Sequence, residues 1–317
     1  MPEHLLVLDI RHPRAPDFAA DRNGDGVPEA LLGSVALPTD LGGRSLAVVG
    51  QVVYALTASF TPGRNATLNV VDVAQDTRPR LLSTINLPVP NPTGLAVAGE
   101  VVYVGARAAG VLVFDGHEPS APRLVGSVGD PNPADTLAVS VVAGPVAAGP
   151  FAYLLETHQE QQTGRVTEHF VVLDLHNPLA PVRRGTALLH GVTRESVITI
   201  VGTRLAVAGS FAYVTRGALG LQAVDISQPD APRPVGIITT PSFTLSVVAV
   251  DQVLYVTDAI FGLQVVRGPG PNEPDTDGDG IIDFFDAFPT DPTEWQDTDG
   301  DRVGDNADPD TDNDGFT

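Results

Sequence analysis

The chain has 317 residues, with 39 acidic against 18 basic side chains, every basic one an Arg, and a formal net charge of −21. The absence of Cys and Lys excludes disulfides, thiol nucleophiles, cysteine zinc sites, Schiff-base lysines, Walker-type phosphate loops and Ser-Lys dyads. The acidic balance argues against nucleic acid as a partner, and no apolar run reaches membrane-spanning length.

The opening segment, MPEHLLVLDI, lacks a basic start, a long apolar stretch and a cleavage site, so it does not read as a signal peptide. It runs directly into a strand, LLVLD ending at Asp9, which leads us to expect that the natural start lies upstream. DRNGDGVPE follows. Asp21, Asn23, Asp25, Gly26 and Glu29 match positions 1, 3, 5, 6 and 9 of a calcium loop, with Val27 at position 7. Leu32 at position 12 removes the strongest ligand, and the competing reading is a plain Asn-Gly/Asp-Gly turn. Residues 31–37 then read as an outer strand.

From here a repeat governs the chain. The 32 Gly and 28 Pro punctuate short β-branched runs, and helical periodicity is scarce. All five Tyr occupy one slot: Tyr54, Tyr103, Tyr153, Tyr213 and Tyr255, in VVYAL, VVYVG, FAYLL, FAYVT and VLYVT. A second strand follows each, closing at Asp72, Asp115, Asp174, Asp225 and Arg267. A Pro-rich turn and an Arg come next in several copies (EPSAPR, NPLAPVR, QPDAPR), then an outer strand such as LVGSV or PVGII. SLAVVG, GLAVAG, LAVSVV and LSVVAV fit the innermost strand. Four antiparallel strands recurring five times at about forty to sixty residues is the arithmetic of an all-β fold, a β-propeller of five four-stranded blades. Blades pack on both faces, so their strands are near-continuously apolar.

The Tyr strand, the apolar strand ending in Asp and the Pro turn together resemble the LVIVD repeat family of bacterial and archaeal propeller proteins, over residues 5–268. The resemblance implies a propeller over 1–268 and no particular reaction. The last repeat lacks an outer strand. Either residues 31–37 supply it and close five blades, or the chain is an arc of a larger propeller with six or seven. Both ends read as cut, which favours the arc.

Candidate chemistry within the body is sparse. The His residues at 4, 12, 117, 158, 169, 176 and 190 form no HExxH, and there is no GxSxG elbow. Asp9, Asp72, Asp115, Asp174 and Asp225 could suggest a ring of carboxylates. Their place at a strand end before a turn instead predicts acceptors of backbone hydrogen bonds. The Tyr side chains are expected to pack between blades with the hydroxyl reaching a partner. Glu156, His158 and Glu160 lie in ETHQEQQTGR, read as a lengthened loop that offers either a binding surface or a solvated polar segment. Asn65-Ala66-Thr67 is a glycosylation sequon by pattern only.

After a Pro/Gly linker at 269–274 the composition changes. Between Asp275 and Asp314 lie fifteen acidic residues and one Arg, so this segment carries −14 of the −21. In DTDGDGIIDFFD, Asp275, Asp277, Asp279, Asp283 and Asp286 take positions 1, 3, 5, 9 and 12 of a calcium loop. Ile281 offers its carbonyl at position 7, and Gly280 turns the chain at position 6. Asp297, Asp299, Asp301, Asp305 and Asp308 repeat the pattern, with Val303 at 7. Arg302 replaces the glycine, which predicts a different turn or weaker binding. A third copy begins at Asp310, Asp312 and Asp314. Asp where an EF-hand has Glu at position 12 predicts micromolar or weaker affinity. Few apolar residues accompany these charges, so metal is expected to fold the segment and its absence to leave it open.

This tail, 275–317, resembles thrombospondin type 3 repeats, calcium-binding spacers of secreted and surface proteins. The two resemblances together imply calcium as cofactor and an extracellular or cell-surface location. The third copy halts before positions 9 and 12, which leads us to expect a longer parent polypeptide, and the expected partner is a protein or polysaccharide ligand. The expected role is non-enzymatic binding, adhesion or display. The alternative is a hydrolase or lyase acting on extracellular polymers.

Overall fold

A computed structural model of the chain describes residues 4–8, 31–37, 42–58, 65–89, 91–129, 136–146, 149–159, 166–189, 205–270, 273–297 and 301–310. Among them the fold is all-β, a five-blade propeller with one 3-10 turn at Arg107–Ala109 as its helix. β1 (His4–Leu8) and β2 (Leu31–Ala36) form a two-stranded sheet. The first blade is β3 (Gly42–Val49), β4 (Val52–Ala58), β5 (Thr67–Asp72) and β6 (Arg80–Asn86). The second is β7 (Gly94–Ala98), β8 (Val101–Gly105), β9 (Val111–Asp115) and β10 (Arg123–Val128). The third is β11 (Thr136–Val146), β12 (Gly149–Gln159), β13 (Val166–Asp174) and β14 (Val182–Leu189). The fourth is β15 (Leu205–Ala208), β16 (Phe211–Thr215), β17 (Leu221–Asp225) and β18 (Arg233–Ile238). The fifth has three strands, β19 (Thr244–Val250), β20 (Val253–Asp258) and β21 (Gly262–Arg267). The segment read as an outer strand at 31–37 is thus paired with β1, with Leu5 opposite Val35.

Each blade is a meander, and in blades two and four the two central strands are buried on both faces, whereas β20 of blade five alternates buried and exposed residues. β8 and β16 are buried at every residue, and β9 and β17 at all but the terminal Asp. Val, Ile and aromatic side chains suit such strands because both pleat faces meet a neighbour. The outer strands are half-exposed and slip register once, at Leu124/Gly126 in β10 and at the equivalent point beside Ala223/Val224 in β17–β18. This recurrent bulge twists the blade edge.

The contact pattern divides the chain into two units, 1–143 with 175–182, and 144–174 with 183–317. In the first, Leu56, Leu68, Val102, Val104 and Phe114 build a core between blades one and two. Leu5 and Leu37 cover Val53, Ala55 and Val71 on the other side of blade one. In the second, Tyr213, Leu221, Val235, Val247 and Leu254 form the core, and Ile282 and Phe285 from the acidic tail pack against it.

The repeated residues act as fasteners. Asp72, Asp115 and Asp225 each accept the amide two residues on, at 2.9, 3.1 and 2.8 Å. Their partners in register are the Arg residues that follow the Pro turn, Arg80, Arg123 and Arg233. These three carboxylates therefore cap turns, and Asp9 lies outside the described residues. Tyr103 donates its hydroxyl to Pro178 O at 2.8 Å, and the Tyr54 hydroxyl lies beside Gly116. Burial pushes the Tyr103 phenol up to about 12 and raises Tyr153 and Tyr213 as well.

Candidate metal centre

The first acidic loop is folded by its own carboxylates. Short Asp side chains reach backbone amides two or three residues on and so compete with any regular ladder. Asp275 accepts Gly278 N through Oδ1 at 2.8 Å and Gly280 N through Oδ2 at 3.0 Å. Asp277 accepts Asp279 N at 3.2 Å, and Asp279 accepts Ile281 N at 2.6 Å. Gly278 and Gly280 take φ +78° and +99°, a region that L side chains rarely enter. The turn closes with Asp283 N donating to Pro274 O at 2.8 Å and Phe285 N to Ile282 O at 2.8 Å.

The carboxylate oxygens of Asp275, Asp277 and Asp279 lie within 4.8 Å of one another. Asp286, at position 12 of the same loop, is only 8% exposed. Its Oδ1 accepts Phe288 N at 2.7 Å. Burial, and after it the charges of Asp279, Asp277 and Asp283, push its carboxyl up. The second carboxylate oxygens of Asp277, Asp279 and Asp286 are buried without a hydrogen-bond partner. A buried, partnerless carboxylate oxygen is costly, and three beside one another match a hard cation that takes oxygen ligands. Asp283 is used differently. Both its oxygens are held by Thr276, from the amide at 2.8 Å and the hydroxyl at 2.7 Å, so position 9 braces the loop.

The second loop repeats this frame twenty-two residues on, from Asp297 instead of Asp275. Arg302 N donates to Asp297 Oδ2 at 3.0 Å, Val303 N to Asp301 Oδ1 at 2.7 Å and Asp305 N to Gln296 O at 2.9 Å. Ala307 N donates to Gly304 O at 2.8 Å and Asp310 N to Asp308 Oδ1 at 2.9 Å. Arg302 adopts φ +75°, so it makes the glycine's left-handed turn and not a different one. Of the two expectations for position 6, this removes the different turn. Asp299, Asp312 and Asp314 lie outside the described residues, as do Asp21, Asn23, Asp25, Val27 and Glu29.

Residue patterning missed the braces. Glu294, 8% exposed, accepts Asn306 N at 3.1 Å and lies against Gly304, fixing the second loop. Arg233 of β18 places its guanidinium at Gly280. Only the single Gly at each position hinted at this crowding.

A second polar cluster sits in blade three. Glu156 and His158, read as loop residues, are buried in β12, opposite His169 and Thr167 of β13. Arg183 holds Glu156 in a bidentate pair. Arg216 lies 3.4 Å from Glu168, with both side chains almost wholly buried. Thr157 donates to Glu168 at 3.0 Å, and the Nδ1 atoms of His158 and His169 are 3.1 Å apart. Glu160 and His190 lie outside the described residues.

The sheets and the repeated fasteners define a repeat-built β-propeller. The LVIVD repeat family matches residues 92–130 and 202–240, which span blades two and four, so the chain carries LVIVD repeats. Among solved structures it is similar to the β-propeller domain of Cps50 (Swd1) from Myceliophteria thermophila. That match has 12% identity and a TM-score of 0.50, over 77% of this chain and 70% of that one. It is also similar to the computationally designed Ika8 protein, with 12% identity and a TM-score of 0.48 over 77% of this chain. The chain spans 63% of the Ika8 protein's length. No curated protein matches. No helix among the described residues is long and apolar enough to cross a membrane.

Proposed function

We propose that this protein is a non-enzymatic binding, adhesion or display module of the cell surface or extracellular space. In this reading an LVIVD-repeat propeller presents a surface to a protein or polysaccharide ligand. The tail consists of thrombospondin type 3-like repeats that take calcium. One observation carries the reading: two loops share a hydrogen-bond frame, and in the first of them three buried carboxylate oxygens have no partner. In the first loop Asp275, Asp277, Asp279 and Asp286 would hold the ion, with the Ile281 carbonyl. In the second, Asp297, Asp301 and Asp308 would do so with the Val303 carbonyl, alongside Asp299 and Asp305 by spacing. Calcium supplies positive charge that offsets the mutual repulsion of the carboxylates, so binding free energy becomes ordering free energy. Sites built from Asp at position 12 suit the calcium levels met outside cells.

Against the hydrolase or lyase alternative stands the commitment of the acidic residues in blade three. Glu156 is paired with Arg183 and Glu168 with Arg216. Calorimetric titration of the whole chain with calcium tests the reading. Saturable binding that Asp279→Asn and Asp301→Asn each reduce by one site supports it. Absence of binding at millimolar calcium overturns it.

A further inference from the structure

At three places along the chain an outer strand meets the Pro turn that follows it in sequence order. Gly185 of β14 lies against the Pro229–Pro232 turn, and its amide donates to Pro229 O at 3.0 Å. Gly33 of β2 meets the Asp76–Pro79 turn in the same way, and Ser83 of β6 donates to Pro119 O at 3.1 Å. At Gly33 and Gly185 the lack of a Cβ lets the turn approach, because one there would collide with backbone.

β18 is the outer strand of blade four, and its glycine is Gly236. The fifth blade offers no Asp-Pro turn to fill it: after Arg267 the sequence reads GPGPNEPD. The contact is made by the tail instead. A Cβ on Gly236 would lie 2.5–2.7 Å from Cβ, Cγ and Cδ1 of Phe285. Phe285 meets Phe211 edge-on with ring centroids 6.5 Å apart and, with Ile282, joins the core of blades four and five. Arg233 of the same strand reaches Gly280. Ile282 and Phe285 are positions 8 and 11 of the first acidic loop. One twelve-residue turn therefore fixes both the apolar plug and the carboxylates. Asp286, next to the plug, is more than nine-tenths buried, and its Oδ2 has no hydrogen-bond partner.

We infer that the first acidic loop stands in for the missing blade turn, so that a divalent cation bound to it clamps the outer strand of blade four through Phe285. The inference rests on the calcium reading above and goes beyond it: the loop is a metal-dependent fastener of the propeller. Anything that binds only the ordered loop shifts every equilibrium coupled to that order.

The test is hydrogen exchange on the full chain, with calcium chloride and with a chelator, beside calorimetry. At calcium a hundred times Kd, exchange protection of β17 and β18 amides should rise toward the linkage ceiling of about a hundredfold, while β8 and β9 are unchanged. Phe285→Ala should keep calorimetric calcium binding and lose that gain. Gly236→Ala, which displaces the plug from the other side, should do the same. Binding with β18 protection unmoved in the wild type overturns the fastener and leaves the calcium reading standing. Absence of binding overturns both.

Discussion

Arg302 and Gly280 make the same turn at unequal cost. Both amides serve the first Asp of their loop at 3.0 Å, with φ +75° and +99°. An L side chain in that region costs roughly 1–2 kcal/mol, partly offset by the greater freedom glycine would have in the unfolded chain. Arg302→Gly should therefore improve the second loop by roughly 1 kcal/mol, about fivefold in calcium Kd by calorimetry. An unchanged or weaker site would mean that the Arg side chain itself contributes. The buried tyrosines supply a pH prediction. Burial raises the Tyr103 phenol from 10.0 to about 12, and Tyr153 and Tyr213 in the same direction. The native state thus favours the protonated form. That contribution is intact below the unfolded value and is lost as pH rises through the native value. Phenolate absorbance and near-ultraviolet dichroism should change together above pH about 10. Ionisation of the buried set with the dichroism unaltered would contradict the packing described.

At the scale of elements, blade contacts depend on glycine and on buried ion pairs. Gly185→Ala forces β14 away from the Pro229–Pro232 turn, whose contacting atoms include backbone and cannot swing aside. Overpacking of this kind costs about 1–3 kcal/mol, to be read from chemical denaturation. The Arg216–Glu168 pair is sealed from water at both ends. Arg216→Met should cost about 3–5 kcal/mol because it leaves a buried charge with its cation removed. Arg216→Met combined with Glu168→Leu should recover most of that loss. If the double variant is as unstable as the single one, the remaining polar residues of blade three, and not this pair, carry the cost.

Over the whole molecule the charge is lopsided, with −14 of −21 in the tail. Unscreened repulsion expands such a segment, and the screening length is about 10 Å at 0.1 M salt. Small-angle scattering of the chelated protein should show a radius that shrinks with added sodium chloride. Calcium should cause the contraction at far lower concentration and retain its effect in high salt. A radius indifferent to both would remove repulsion between carboxylates as a force that sets the tail's dimensions.

The strands and their order were legible because the signals are local: Tyr103, Asp115 and the Pro turns recur at fixed intervals, and alternating or continuous apolar runs follow directly from which faces are covered. The aspartate spacing was legible for the same reason, since Asx turns form within five residues. Other features join residues far apart in sequence and leave no periodic trace. Glu156 and His158 looked like loop residues because polar side chains in a strand betray burial only once Arg183 is known to be their neighbour. Glu294 lacks a motif because it braces Asn306 through backbone. By itself the sequence determined the blade repeat, the location of the charge and the aspartate spacing, since each is a matter of neighbouring residues. Only the tertiary structure decided that Phe285 of the acidic loop seats on Gly236, because a plug and its socket separated by a whole blade are joined by packing and not by pattern.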